Sequence, residues 1–186
     1  MIPLPFAVAL LSGLGFTPGS FSGVAQEAPA TESSSCSAHH AGVDSRGDHV
    51  MGFDHEKTAH HFHLYRSGGA IDVSANDPGD AASRDAIREH LGHIARMFAG
   101  GDFEAPMLIH DRVPPGVPTL KARRQKIRWE FETSERGGVI RVRTEDREAL
   151  SAIHEFLKFQ IEDHRTGDST AVVPDPTPPG PPPPSS

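Results

Sequence analysis

The chain repeats itself, and that repeat limits the fold more than any other feature. FHLYRSGGAIDV at 62–73 and FETSERGGVIRV at 131–142 align at an offset of 69. Phe62 falls on Phe131, Gly68 and Gly69 on Gly137 and Gly138, Ile71 on Ile140, and Val73 on Val142. Further on, AIREHL at 86–91 and AIHEFL at 152–157 align at an offset of 66, and Gly101-Asp102 meets Gly167-Asp168. A chain built from two copies of one unit is expected to fold as two copies of one substructure.

Each copy reads as a β-hairpin followed by a helix. Ile127, Trp129 and Phe131 alternate on one side of a Gly-Gly pair and Val139 to Val142 follow it, so the glycines are expected to supply a tight hairpin turn. Ile153, Phe156, Leu157 and Ile161 recur at helical spacing, as do Ile87, Leu91, Ile94 and Phe98, and each run ends at glycine. Asp80 or Ser83 would cap the first helix. The expected fold class is α+β: two pseudo-symmetric hairpin-plus-helix repeats forming a four-stranded, mostly antiparallel sheet with the helices on one face.

The expected organisation has one domain. Residues 48–168 form it, with repeat one at 58–102, a connector at 103–126 and repeat two at 127–168. The connector reads as a short extended piece, a proline turn and a helix from Pro118 to Lys126. Residues 1–25 contain an apolar run, PFAVALLSGLGF, of the length of a signal-peptide core and too short to span a bilayer, with Gly23 and Ala25 as small residues near a cleavage site; an exported, periplasmic or extracellular protein is expected. Residues 26–47 are small and polar, and 169–186 carry a proline tail; both read as disordered, the tail as a spacer or a ligand for a proline-binding partner. The net charge of −7 leaves no electrostatic footprint for nucleic acid, and the lone Cys36 forms no internal disulfide.

Histidine is the outlier of the composition. The chain holds 12, where ordinary usage would place about four in this length. Three stand on aromatic positions of the other copy: His60 on Trp129, His90 on Phe156 and His93 on Phe159. An interior imidazole needs partners for its ring nitrogens, so converging imidazoles point to a metal ion or a hydrogen-bond network. His60, His90 and His93 are the expected ligands of a transition metal, Cu or Zn, with Met51, Met97 and His110 as further candidates; a thioether would favour copper. His61 and His63, one residue off the strand period, are expected on the outer face. His154 replaces Arg88 on the helix surface, and His164 is expected to complement the helix C-terminus.

Two other readings stand beside metal handling or sensing. In an enzyme, His60 or His90 would act as general base beside Asp111 or Glu89, with the loop 113–118 shaping a pocket. In a scaffold module, the proline tail and the sheet edges would bind protein partners, and a homodimer is a further partner reading. No nucleophile elbow, phosphate loop or His-Glu-x-x-His helix occurs.

The strings MGFDHEKTAHHFHL, ANDPGDAASRDAIREHLGHIARMFAGGDF, PMLIHDRVPPGVP and AIHEFLKFQIEDHRTGD resemble a family of small exported bacterial His-rich proteins over about residues 47–168. Members of that family often carry the label aspartate carbamoyltransferase. The residues do not support that chemistry. There is no Ser-Thr-Arg-Thr carbamoyl-phosphate loop and no His-Pro-x-Gln motif, the folded part is far shorter than a catalytic chain, and one cysteine cannot build a four-cysteine zinc site. The resemblance implies an exported single domain and no particular reaction.

Overall fold

The computed structural model describes residues 50–177, together with 42, 43 and 45–47. The expected leader, most of the expected linker and the tail beyond 177 lie outside the described residues. The elements in chain order are β1 (Thr58–Tyr65), β2 (Gly68–Ala75), α1 (Ala81–Gly100), α2 (Glu104–His110), α3 (Val117–Ala122), β3 (Ile127–Thr133), β4 (Gly137–Thr144) and α4 (Arg147–Asp163). The strands form one sheet in the order β1-β2-β4-β3, antiparallel throughout.

The sheet register shows where the repeat symmetry lies. In the central pair, Ile71 stands opposite Ile140, which is its own counterpart at the offset of 69. On either side, Gly69 pairs with Val142 and Val73 with Gly138, and the offset exchanges those two pairs. The pseudo-twofold axis therefore passes between Ile71 and Ile140, perpendicular to the sheet, because both helices cover the same face.

Each helix packs over the hairpin of the other repeat. α1 lies chiefly on β3 and β4, and α4 chiefly on β1 and β2. Equivalent side chains clamp the hairpins from above. Arg88 donates to the carbonyls of Gly137 (3.1 Å) and Ser134 (2.6 Å), while its counterpart His154 donates through Nε2 to Gly68 (3.1 Å) and Tyr65 (2.9 Å). Both helices start on equivalent caps: Asp80 accepts from Ser83 N, and Asp146 accepts from Glu148 N and Ala149 N. The first ends on left-handed Gly101 (φ 83°), while α4 ends earlier, capped by His164, with left-handed Arg165 (φ 51°) and Gly167 (φ 76°) in the turn that follows.

The glycine pairs serve a purpose other than the expected turn. The first hairpin turns at Arg66-Ser67, and Gly68-Gly69 and Gly137-Gly138 open the central strands β2 and β4. A Cβ on Gly68 would lie 2.0 Å from Val142 O, and one on Gly137 would lie 2.1 Å from Val73 O. The two central strands approach too closely there for any side chain.

Between sheet and helices runs a core of Ile71, Val73, Ile87, Leu91, Ile94, Phe98, Ile140, Val142, Ile153, Phe156 and Leu157. Full burial of each large side chain contributes about 1.5–3 kcal/mol. The connector differs from its expected form. The Asp102 side chain accepts from Glu104 N (2.9 Å) and starts a helix where an extended piece was expected, so fully buried Phe103 enters the core. The expected helix 118–126 is α3, with Pro118 in its first turn, followed by a 3-10 turn at Arg124–Lys126.

Both domain boundaries lie outside the expected ones. Before residue 48, Val43 is buried and Arg46 Nε donates to Ile109 O (2.8 Å). After 168, Val173 forms a parallel bridge to Tyr65 along the β1 edge, with Val173 N on Leu64 O (2.9 Å) and Arg66 N on Val173 O (3.2 Å), and Asp175 accepts from Ser67 Oγ. The segment covers an edge that would otherwise offer unpaired backbone groups. Among the described residues no helix is long and apolar enough to cross a membrane.

Candidate functional site

Rings occupy the same three places on both sides of the pseudo-twofold axis, but their chemistry differs. On one side Phe98, Trp129 and Phe156 pack together: Phe98 meets Trp129 edge-on at 4.9 Å and Phe156 edge-on at 5.9 Å. Shifting by 66 or 69 turns Phe98 into His164, Trp129 into His60 and Phe156 into His90. On that second side, His60 and His164 lie with centroids 6.0 Å apart and planes 4° from parallel. A fourth ring completes each set. Phe103 meets Phe156 and Trp129 edge-on, and Phe53 meets His90 edge-on at 5.6 Å and stacks on His60 at 6.0 Å.

The imidazole side does not close. His60 from β1, His90 from α1 and His164 from the end of α4 line a cavity of about 70 Å³, together with Met51, Gln160 and apolar walls that include Phe62, Ile71, Ile94, Ile140 and Phe156. Ile71 and Ile140 form part of its wall, so it lies beside the pseudo-twofold axis. Helix spacing sets the lining: Phe156, Gln160 and His164 repeat every four residues on α4 and the turn after it, facing His90, Ile94 and Phe98 on α1.

Each cavity imidazole is held neutral. Burial pushes His60 down to about 4, with the His90, His55 and His61 rings adding to the effect. Burial likewise pushes His90 down to about 4, with help from His93. His164 falls to about 3 through burial, then through His110 and His60, against the opposing pull of Asp163. At neutral pH all three present ring-nitrogen lone pairs rather than charges.

Behind His164 lies a buried polar chain. His110, 1% exposed, donates through Nδ1 to Asp163 Oδ2 (2.5 Å), and Arg112 Nη2 donates to Asp163 Oδ1 (2.8 Å). The His110 ring stands edge-on to His164 at 5.0 Å. Burial lowers the His110 pKa despite the carboxylate, so Nε2 is an acceptor. Gln160 Oε1 lies 3.0 Å from that Nε2, and Gln160 Nε2 is buried without a partner. The isosteric amide orientation turns Nε2 to donate to the His110 ring.

The residues expected at a metal site part company here. His60 and His90 line one cavity, and Met51 stands at it. His93 does not join them; it is exposed, because one step of three residues along α1 carries it past the buried stripe. Met97 packs against the core and His110 binds Asp163, and neither lines the cavity. The carboxylates of the enzyme reading, Asp111 and Glu89, are outside it, and His110 takes Asp163 rather than Asp111 as partner. His61 and His63 lie on the outer sheet face, with His61 Nδ1 donating to Asp168 (2.9 Å). Among the described residues no three His, Cys, Asp or Glu side chains converge closely enough to hold a metal ion as they lie.

Three residues of the site and its surroundings are not singled out as such by the sequence pattern: His164, Gln160 and Asp163. The signal for two of them is present, since the offset of 66 places His164 on Phe98 and Gln160 on Ile94. A larger cleft of about 800 Å³ is lined by Ser67, Lys126, Arg128, Glu130, Arg143 and Asp146. Its Arg128 and Arg143 pair with Glu130 at the surface (3.7 and 4.0 Å), so these charges partly offset one another.

A comparison with protein families, with curated proteins and with solved structures finds no match.

Proposed function

We propose that this protein is an exported domain that binds a transition metal ion in the imidazole cavity, through His60, His90 and His164 with Met51 at its wall, for metal handling or sensing. The observation that carries the reading is the replacement of a close-packed aromatic trio by three neutral imidazoles at the equivalent places. A core evolving only for stability has no use for six ring nitrogens there, whereas a ligand that accepts lone pairs does. Size points the same way, since about 70 Å³ is far below the ~300–1,000 Å³ of a metabolite pocket.

The His60–His164 separation of 6.0 Å is about that of two imidazoles on opposite sides of an ion bonded at roughly 2.0 Å to each. Binding then calls for the rings to turn rather than for the backbone to move. Metal analysis of protein purified without a His tag, followed by titration of the metal-free protein, tests the reading. One ion per chain is expected, with binding lost in His60→Phe/His90→Phe. No bound ion, and no affinity tighter than micromolar for copper or zinc, sinks it.

A further inference from the structure

We propose that the cavity is selective for monovalent copper over divalent ions. This rests on the metal-binding reading above and adds the charge and donor preference of the ion. Every donor at the cavity is neutral: the rings of His60, His90 and His164, the thioether of Met51 and the amide of Gln160. The nearby carboxylate of Asp163 does not line the cavity, and its oxygens already accept from His110 and Arg112. An entering ion therefore brings its full charge into largely apolar walls.

The cost of moving an ion out of water grows as the square of its charge, so a dication costs about four times as much as a monovalent ion of similar size. Neutral ligands offset less of that difference than the thiolates or carboxylates of many zinc sites do. Ligand type gives a second, independent reason. Zinc is ordinarily held by imidazole, thiolate and carboxylate, and the donor that joins the imidazoles here is the thioether of Met51. Monovalent copper is satisfied by two imidazoles and a thioether, and sulfur donors favour it. A cavity of about 70 Å³ also leaves little room for the waters that would complete a dication's shell.

The test titrates the full chain without oxygen with Cu⁺ against a chromophoric Cu⁺ chelator, with Ag⁺ as a redox-inert stand-in, and in parallel with Zn²⁺ and Cu²⁺. Cu⁺ and Ag⁺ are expected to bind one per chain, about a thousandfold more tightly than Zn²⁺. Met51→Leu, a conservative change on a partly exposed residue, is expected to weaken Cu⁺ about tenfold and leave Zn²⁺ unchanged. His60→Phe/His90→Phe should abolish the Cu⁺ site, and dications bound elsewhere on the chain will survive that change. Zn²⁺ or Cu²⁺ binding to the same histidines as tightly as Cu⁺ overturns the selectivity and leaves the metal reading standing. Failure of all four ions to bind overturns both.

Discussion

On one side of the pseudo-twofold axis Phe98, Trp129 and Phe156 close around Phe103; on the other, His164, His60 and His90 stand in the same places, with Phe53 against His60 and His90. The strand and helix framework is shared, although Phe98 lies inside α1 and His164 just past the end of α4, so the main difference is one of side-chain chemistry. Carbon rings have nothing to satisfy and pack to contact, and their one polar liability is the buried Trp129 Nε1, which has no partner among the described residues. Imidazoles of similar shape carry two nitrogens each, and a cavity remains between them and the neighbouring Phe98 and Phe156. One half is thus built for stability and its copy gives up packing for lone pairs, a local conflict of the kind expected at functional sites.

The largest effect that separates the halves is acidity. Because His60, His90 and His164 titrate near 4, 4 and 3 in the folded chain and near 6.5 unfolded, the unfolded state takes up protons first. Stability is therefore complete above pH 6.5 and falls as pH drops from there toward 4. Lowering a pKa by one corresponds to about 1.4 kcal/mol. With a discount of roughly half for the rings' remaining exposure, the three together withdraw on the order of 5 kcal/mol. Urea denaturation at pH 7.5 and pH 4.5 measures it, and an unchanged midpoint would contradict the burial of these rings.

Next comes truncation on the aromatic side. Phe98→Ala removes a ring that is 2% exposed and is expected to cost about 3–5 kcal/mol. His164→Ala, at the equivalent place, should cost under about 1.5 kcal/mol, because its surroundings are already loose. Equal losses in thermal denaturation would mean that the two sides are equally packed.

Making the halves alike is the third test. His90→Phe/His164→Phe restores the aromatic pattern beside the cavity and is expected to stabilise the domain by about 1–2 kcal/mol at pH 7, to remove much of the acid sensitivity, and to lose the metal. Destabilisation instead would show that the cavity is not available to larger rings.

The smallest contrast concerns the hairpin clamps. Arg88→Ala breaks charged hydrogen bonds to the β3–β4 turn and should cost about 1.5 kcal/mol, and His154→Ala, which breaks neutral ones to the β1–β2 turn, about 1 kcal/mol. Amide exchange at the two turns reads each loss separately, and a loss at the wrong hairpin would refute the crossed packing of the helices.

Much of this arrangement is legible in the residues. The two offsets locate hairpins, helices, caps and a pseudo-twofold relation between the repeats, because identical local patterns build identical substructures; the sheet register then places the axis between Ile71 and Ile140. They also identify His60 and His90 as departures from an aromatic pattern. His93 falls outside the site because i and i+3 on α1 share a face only approximately, and the buried stripe follows i+4 steps from His90 to Ile94 and Phe98. His110 and Asp163 are not legible as a pair, since they lie 53 residues apart and only the helical connector brings them together. The glycine pairs look like turns in the sequence because close approach of β2 to β4 is a property of two strands, which neither strand's sequence carries alone.

The sequence by itself determined the two repeats, the α+β class and the replacement of aromatic rings by imidazoles, all of which depend on local pattern and on comparing the chain with itself. Only the tertiary structure decided that each helix crosses to the opposite hairpin, and with it that the end of α4 brings His164 to His60. That crossing depends on which faces bury together, and burial between distant segments is set by the whole packed layer rather than by any stretch of it.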